Sequence, residues 1–152
     1  MHIVFLNPQG NFDPKDSYLT EHPDFGGQLV YVKELAQALA TNGHKVDIVT
    51  RKIIDSDWPE FSANQDIYPG TEQNLRILRF PCGGNKFLSK EELWPHLSEF
   101  ADEILRFYGE FLPDFSQPIT QMVVIQQPYS SSVLVLLFLS PVTHLGRKNL
   151  IN

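Results

Sequence analysis

The stretch GGQLVYVKELAQALATNGHKVDIVT, residues 26–50, decides the fold. Val32, Leu35, Ala36, Leu39 and Ala40 recur at helical spacing and form one apolar face, which predicts a helix over residues 28–42. Gly43 stands where a left-handed C-terminal cap is expected, because glycine takes that backbone without a Cβ penalty. The run KVDIVT at residues 45–50 is β-branched and reads as a buried strand. Upstream, HIVFL at residues 2–6 is another short apolar run, ended by Asn7-Pro8-Gln9-Gly10. Strand, glycine loop, helix and strand in that order make a βαβ unit and imply a parallel sheet.

Working outward, residues 11–25 are a long polar loop rich in Asp, Pro and Ser, of a length that inside a domain is functional or disordered. Residues 75–80 alternate in strand fashion and close on Pro81 and Gly83-Gly84. Ser89, with Glu92 three positions on, makes a capping box for the next helix. Pro95 starts a further helical stretch, since proline is tolerated in a first turn and not inside. Its apolar face is Leu97, Phe100, Ala101, Ile104, Tyr108 and Phe111, with Pro113-Asp114 ending it.

The 152 residues suffice for one domain with its own core, and 42% hydrophobic with 20% charged residues is ordinary for a soluble protein. A net charge of −6 with no basic patch argues against nucleic acid. Cys82 stands alone, so no internal disulfide can form, which suits a reducing cytosol. The N-terminus lacks the pattern of a secretory signal, and the longest apolar run, residues 133–139, is far short of the ~18 residues needed to span a bilayer. A cytoplasmic protein with no membrane partner is expected; oligomeric state is not legible.

The glycine pair after the first strand carries the most chemical weight. Glycine lets the backbone approach a ligand, and the helix that follows offers free N–H groups and a positive dipole end to phosphate. In an open parallel sheet the ligand crevice lies at the carboxyl ends of the strands. For an isolated Gly-Gly a plain turn is the more ordinary reading, and the dinucleotide spacing GxGxxG is absent from residues 26–31. Lys86, after Gly83-Gly84-Asn85, can meet a phosphate as a point charge or stand as a solvated surface lysine. His22 and His44 have no partner at metal-ligand or triad spacing, and His44, following the capping glycine, reads as structural. No metal site is expected.

Residues 5–40, FLNPQGNFDPKDSYLTEHPDFGGQLVYVKELAQALA, closely resemble the start of the sucrose-phosphate synthases. DSDWPEF at residues 55–61 and GGNKFLSKEELWP at residues 83–95 are similar to the next two blocks of that family, in the same order. The resemblance covers roughly residues 1–115. It implies an α/β fold, the first half of the Rossmann-like N-terminal domain of a GT-B glycosyltransferase, over residues 1–116. It also implies a retaining transfer of glucose from UDP-glucose to the 2-hydroxyl of fructose 6-phosphate, with no tightly bound cofactor and no obligatory metal. Carried over onto matching positions, Gly26, Gly27 and Gln28 are the family's GGQ loop, which contacts acceptor sugar and donor phosphates. Lys86 matches the lysine near the acceptor phosphate. The family's donor-binding domain has no counterpart here, so no catalytic residue is expected in this chain and no UDP release with UDP-glucose and fructose 6-phosphate. Related readings are a sucrose synthase with free fructose as acceptor, a mannosylfructose-phosphate synthase with GDP-mannose as donor, and a non-catalytic sugar-phosphate-binding module.

From Gln117 onward the composition breaks. All 18 acidic residues precede Ser116, and the only charges after it are Arg147 and Lys148. The family's next motifs, THYADGG and GHSLGAQK, are absent. Reading the third base of each codon with the first two of the next lets residues 117–124 encode THYADGG. In the same phase, with a choice among synonymous codons, residues 136–152 can encode a string containing GHSLGAQK. Residues 117–152 are therefore expected to be an out-of-frame tail with no domain of its own, following a single-base change near Ser116. A divergent tail is the alternative, and composition alone allows strands at residues 120–125 and 133–139. Without later in-frame strands, about three parallel strands and an uncovered, aggregation-prone edge are expected.

Overall fold

The protein is described from a computed structural model covering residues 2–9, 12–18, 27–71, 73–109, 115–118 and 133–137. Strand β1 is His2–Asn7, helix α1 Gly27–Thr41 and strand β2 Lys45–Arg51. A 3₁₀ turn, Pro59–Phe61, precedes β3 (Gln65–Ile67) and β4 (Leu75–Phe80). Helix α2 (Lys90–Leu93) runs through a second 3₁₀ turn, Trp94–His96, into α3 (Leu97–Tyr108). Strands β5 (Phe115–Pro118) and β6 (Val133–Leu137) follow.

The strands form one sheet in the order β3-β4-β2-β1-β6-β5, parallel except for the antiparallel β3–β4 pair. The expected βαβ unit is present, with β1 beside β2 from His2↔Lys45 to Asn7↔Thr50. Beyond β1, where an open edge was expected, β6 pairs from His2↔Val133 to Leu6↔Leu137, and β5 pairs with β6 in turn. The sequence VLVLL of β6 has the β-branched, apolar character that a parallel strand needs. The second strand expected by composition, at residues 120–125, lies outside the described residues.

Alternation along the strands divides the core in two. Ile3, Phe5, Val46, Ile48, Leu75 and Ile77 face α1, which contributes Leu29, Val32, Ala36 and Ala40. Val4, Leu6, Val49, Leu78 and Phe80 face α3, which contributes Phe100, Ile104 and Tyr108. Helices on both faces of a parallel sheet are the doubly wound α/β arrangement.

Both helix ends are set by glycine. After α1, the Gly43 amide reaches the Ala40 carbonyl (3.0 Å) and the His44 amide the Leu39 carbonyl (3.2 Å), a Schellman motif with Gly43 at φ 84°. Helix α3 stops earlier than the Pro113-Asp114 signal suggests. Gly109, at φ 55°, bonds back to Leu105 (2.9 Å) and ends the helix at Tyr108; Phe111, expected on the same face, lies outside the described residues. Ala101, expected on the apolar face, is exposed. The Ser89–Glu92 box forms in part, with the Glu92 carboxylate accepting from the Ser89 amide (2.9 Å) and hydroxyl (2.8 Å).

Candidate functional site at the carboxyl edge of the sheet

At the carboxyl ends of β1 and β4 the chain makes the turns that carry the candidate residues. The first leads from Asn7 through residues 12–18 to α1. Asp13 is buried and organises a tight turn, accepting from the amides of Lys15 (3.0 Å) and Ser17 (2.8 Å) and from the Ser17 hydroxyl (2.8 Å). Asp16, with φ 55°, accepts from the Tyr68 phenol and pairs with Lys33 on the second turn of α1. Burial, and then the neighbouring Asp16 carboxylate, push the Tyr68 phenol above its ordinary pKa, so it stays a neutral donor. Arg79 is buried and reaches the Phe12 carbonyl (2.6 Å), the Ala63 carbonyl (3.1 Å) and the Asp66 carboxylate (2.6 Å). Sheet and helix thus hold the segment leading towards the GGQ loop. Gly27 and Gln28 open α1 as its first two residues, while Gly26 lies outside the described residues, as does His22.

The second turn follows β4 and carries Lys86. Gly83 and Gly84 both have left-handed backbone, φ 64° and 84°. At Gly83 a Cβ would meet Leu88 Cδ1 at 2.7 Å and the His96 ring at 2.8 Å, so glycine is needed there for space as well as for φ. The Gly83 amide donates to Glu99 of α3 (2.8 Å), and the Ile54 amide to the Asn85 carbonyl (2.8 Å). Phe87 stacks on Trp58 at 5.5 Å between ring centroids, and Trp58 stacks in turn on Phe61 at 5.9 Å. The DSDWPEF block therefore supports the lysine loop from the side. Lys86 itself is exposed, and among the described residues its ammonium has no hydrogen-bond or ion-pair partner.

The sequence placed the glycine pair at the carboxyl edge of the sheet and Lys86 in a separate glycine loop, and the structure puts the turn after β1 and the turn after β4 at the same edge, separated by β2. Two buried centres were missed. One is Arg51, which closes β2. The other is Asp47, 1% exposed, at the opposite end of β2 and away from the site. Its only signal in the sequence was a charge inside a run otherwise reading as buried. Among the described residues, no three His, Cys, Asp or Glu side chains gather as metal ligands, and no helix is long and apolar enough to cross a membrane.

Comparison with known proteins places the sequence and the fold. The chain is 64% identical over 116 residues, 76% of its length, to a probable sucrose-phosphate synthase of Thermosipho melanesiensis. By sequence this chain is a homologue of the sucrose-phosphate synthases. It is also 41% identical over 95 residues to the mannosylfructose-phosphate synthase of Agrobacterium fabrum, and 38% identical over 114 residues to sucrose-phosphate synthase 4 of Arabidopsis thaliana. The chain spans only part of these sucrose-phosphate synthase relatives and their kin, 27%, 19% and 11% of their respective lengths. In three dimensions it resembles the sucrose-phosphate synthase of Thermosynechococcus elongatus, with a TM-score of 0.58 and 25% identity. That likeness covers 72% of this chain and 24% of the other. No family model matches the chain.

Proposed function

We propose that this chain carries the acceptor side of a glucosyl-transfer site and binds fructose 6-phosphate. In this reading the sugar lies against the Gly26-Gly27-Gln28 turn at the start of α1 and its phosphate against Lys86. The observation that carries the proposal is the Lys86 loop: fastened on several sides, it presents an ammonium unpaired among the described residues, at the sheet edge where α1 begins. Fixed cationic groups at such an edge orient a phosphorylated substrate without reorganising on binding. In the whole enzyme the donor is UDP-glucose, the transfer retains configuration, and no tightly bound cofactor or metal takes part. Calorimetric titration tests the acceptor assignment. Saturable uptake of fructose 6-phosphate, much tighter than that of fructose, is expected; equal affinity for the two sugars would count against it.

The likeness to a mannosylfructose-phosphate synthase supports a second reading of the donor, GDP-mannose, with the same phosphorylated acceptor. A sucrose synthase would take free fructose, which leaves the unpaired Lys86 ammonium without a role. A stand-alone sugar-phosphate-binding module would show the same calorimetric signature and no partner domain. A cytoplasmic location fits the lone buried thiol of Cys82.

We further infer that residues 117–152 are read out of frame. Two facts support this: the segment holds none of the 18 acidic residues, and the 116-residue match to the Thermosipho relative equals the length of the chain before Gln117. The pairing of β6 with β1 is compatible with this, because an apolar β-branched run suits a parallel strand whatever frame encoded it. Sequencing the gene across codon 116 and well beyond decides it. A shifted frame that runs on into sucrose-phosphate-synthase-like sequence is expected, whereas a closed shifted frame would make the tail genuine.

A further inference from the structure

Arg51 ends β2 at the site edge and is only 2% exposed. Its guanidinium donates three times into the lysine loop: Nε to the Cys82 carbonyl at 2.5 Å, and Nη2 to the Gly84 carbonyl at 3.0 Å and to the Lys86 carbonyl at 2.5 Å. The left-handed residues Gly83 and Gly84 lie between the first and last of these acceptors. Among the described residues no carboxylate lies within ion-pairing distance of Arg51. A buried cation is costly unless its donors find partners, and here the Nε and Nη2 donors, three of the five N–H groups, go to loop carbonyls. The planar fork is the feature that matters. It spans alternate residues of one loop, which the single nitrogen of a lysine cannot do.

We propose that Arg51 is the positioning residue for the acceptor phosphate: by holding the carbonyl of Lys86 itself, it fixes the point from which the Lys86 side chain reaches. This rests on the acceptor-site reading above. Arg51 touches no substrate in this account and acts only through the loop. Its side chain leaves β2 on the face that carries Asp47 and Val49, the α3 face. Sheet, lysine loop and α3 therefore meet around it, with Glu99 of α3 holding the Gly83 amide from the other side.

The test is a set of calorimetric titrations with fructose 6-phosphate and with fructose. The wild-type chain is compared with Arg51→Lys, Lys86→Ala and the double variant, alongside ¹⁵N relaxation of residues 83–86. In Arg51→Lys, affinity for fructose 6-phosphate should fall by about tenfold while that for fructose stays within about twofold. The same change in the Lys86→Ala background should have no further effect, because the two residues act as one unit. Order parameters of residues 83–86 should drop from a rigid ~0.85 to below ~0.6. Undiminished fructose 6-phosphate affinity in Arg51→Lys would overturn the proposal. So would an equal loss for both sugars, or an additive double variant. If the wild-type chain takes up no fructose 6-phosphate, the acceptor-site reading falls. Relaxation alone then judges Arg51: a loosened loop supports its positioning role, and an unchanged loop ends it. Should Arg51→Lys fail to fold, Gly84→Ala substitutes for it. A Cβ at Gly84 has nothing within 4 Å, so the change strains only the backbone at φ +84°. The same phosphate-specific loss is then expected, and its absence would overturn the proposal.

Discussion

Asp47→Ala should lower the unfolding free energy by about 2–4 kcal/mol, since it removes a buried carboxylate on which charged and neutral hydrogen-bond donors converge, while the half-buried Arg76 it leaves behind is partly solvated. The Asp47 carboxylate accepts from Arg76 twice (Nε 2.7 Å, Nη2 2.8 Å), from His2 Nε2 (2.6 Å) and from the Tyr108 hydroxyl (2.8 Å). These residues come from β1, β4 and α3, so one side chain on β2 ties three strands and a helix together at the end of the sheet opposite the site. Domains of this kind have only about 5–15 kcal/mol in total, so the variant should be largely unfolded when warm. Urea denaturation measures the change directly, and a loss below about 1 kcal/mol would show that the network is not held as described.

The same group sets an acid limit. Burial pushes the Asp47 carboxyl up, but hydrogen bonds from His2 and Arg76, and their charges, push it further down, leaving it below the ordinary carboxylate value. A depressed native pKa contributes stability that is complete above the unfolded value, near 3.9, and is lost as pH falls through the native value. Wild-type stability should therefore fall steeply below about pH 4, and the Asp47→Ala curve should be flatter there. Tyr108 does not blur this window, because burial and then the Asp47 charge raise its phenol and keep it neutral.

Lys86→Ala should cost about 10- to 100-fold in fructose 6-phosphate affinity, the worth of one charge-assisted hydrogen bond to a phosphate. Affinity for fructose should not change. The side chain is exposed, so its truncation leaves the core intact and should move stability by no more than about 0.5 kcal/mol. Added salt should weaken wild-type binding of the phosphorylated sugar and leave the variant's nearly unaffected. A variant that binds both sugars as the wild type does would move the phosphate elsewhere.

The βαβ unit was legible because its signals are local. The apolar face of α1, the glycine at its end and the β-branched run of β2 can all be read within residues 26–50. The candidate site was legible in two different ways. The Gly83-Gly84 turn before Lys86 is a local signal, whereas the role proposed for Gly26, Gly27 and Gln28 rests on resemblance, since their spacing alone fits a plain turn. The hubs were not legible because their partners are distant in sequence. Asp47 meets residues 2, 76 and 108, and Arg51 meets carbonyls more than thirty residues on, which have no side-chain identity to read. Strand β5, FSQP, carries a proline and two polar residues, and its place beside β6 could not be inferred from composition.

The most direct test of the central claim is a ¹H–¹⁵N chemical-shift map of the labelled chain titrated with fructose 6-phosphate. Shifts concentrated at residues 26–29 and 83–87, with little change around Asp47 at the other end of the sheet, are the predicted result. Shifts centred elsewhere, or none at saturating sugar phosphate, would contradict it.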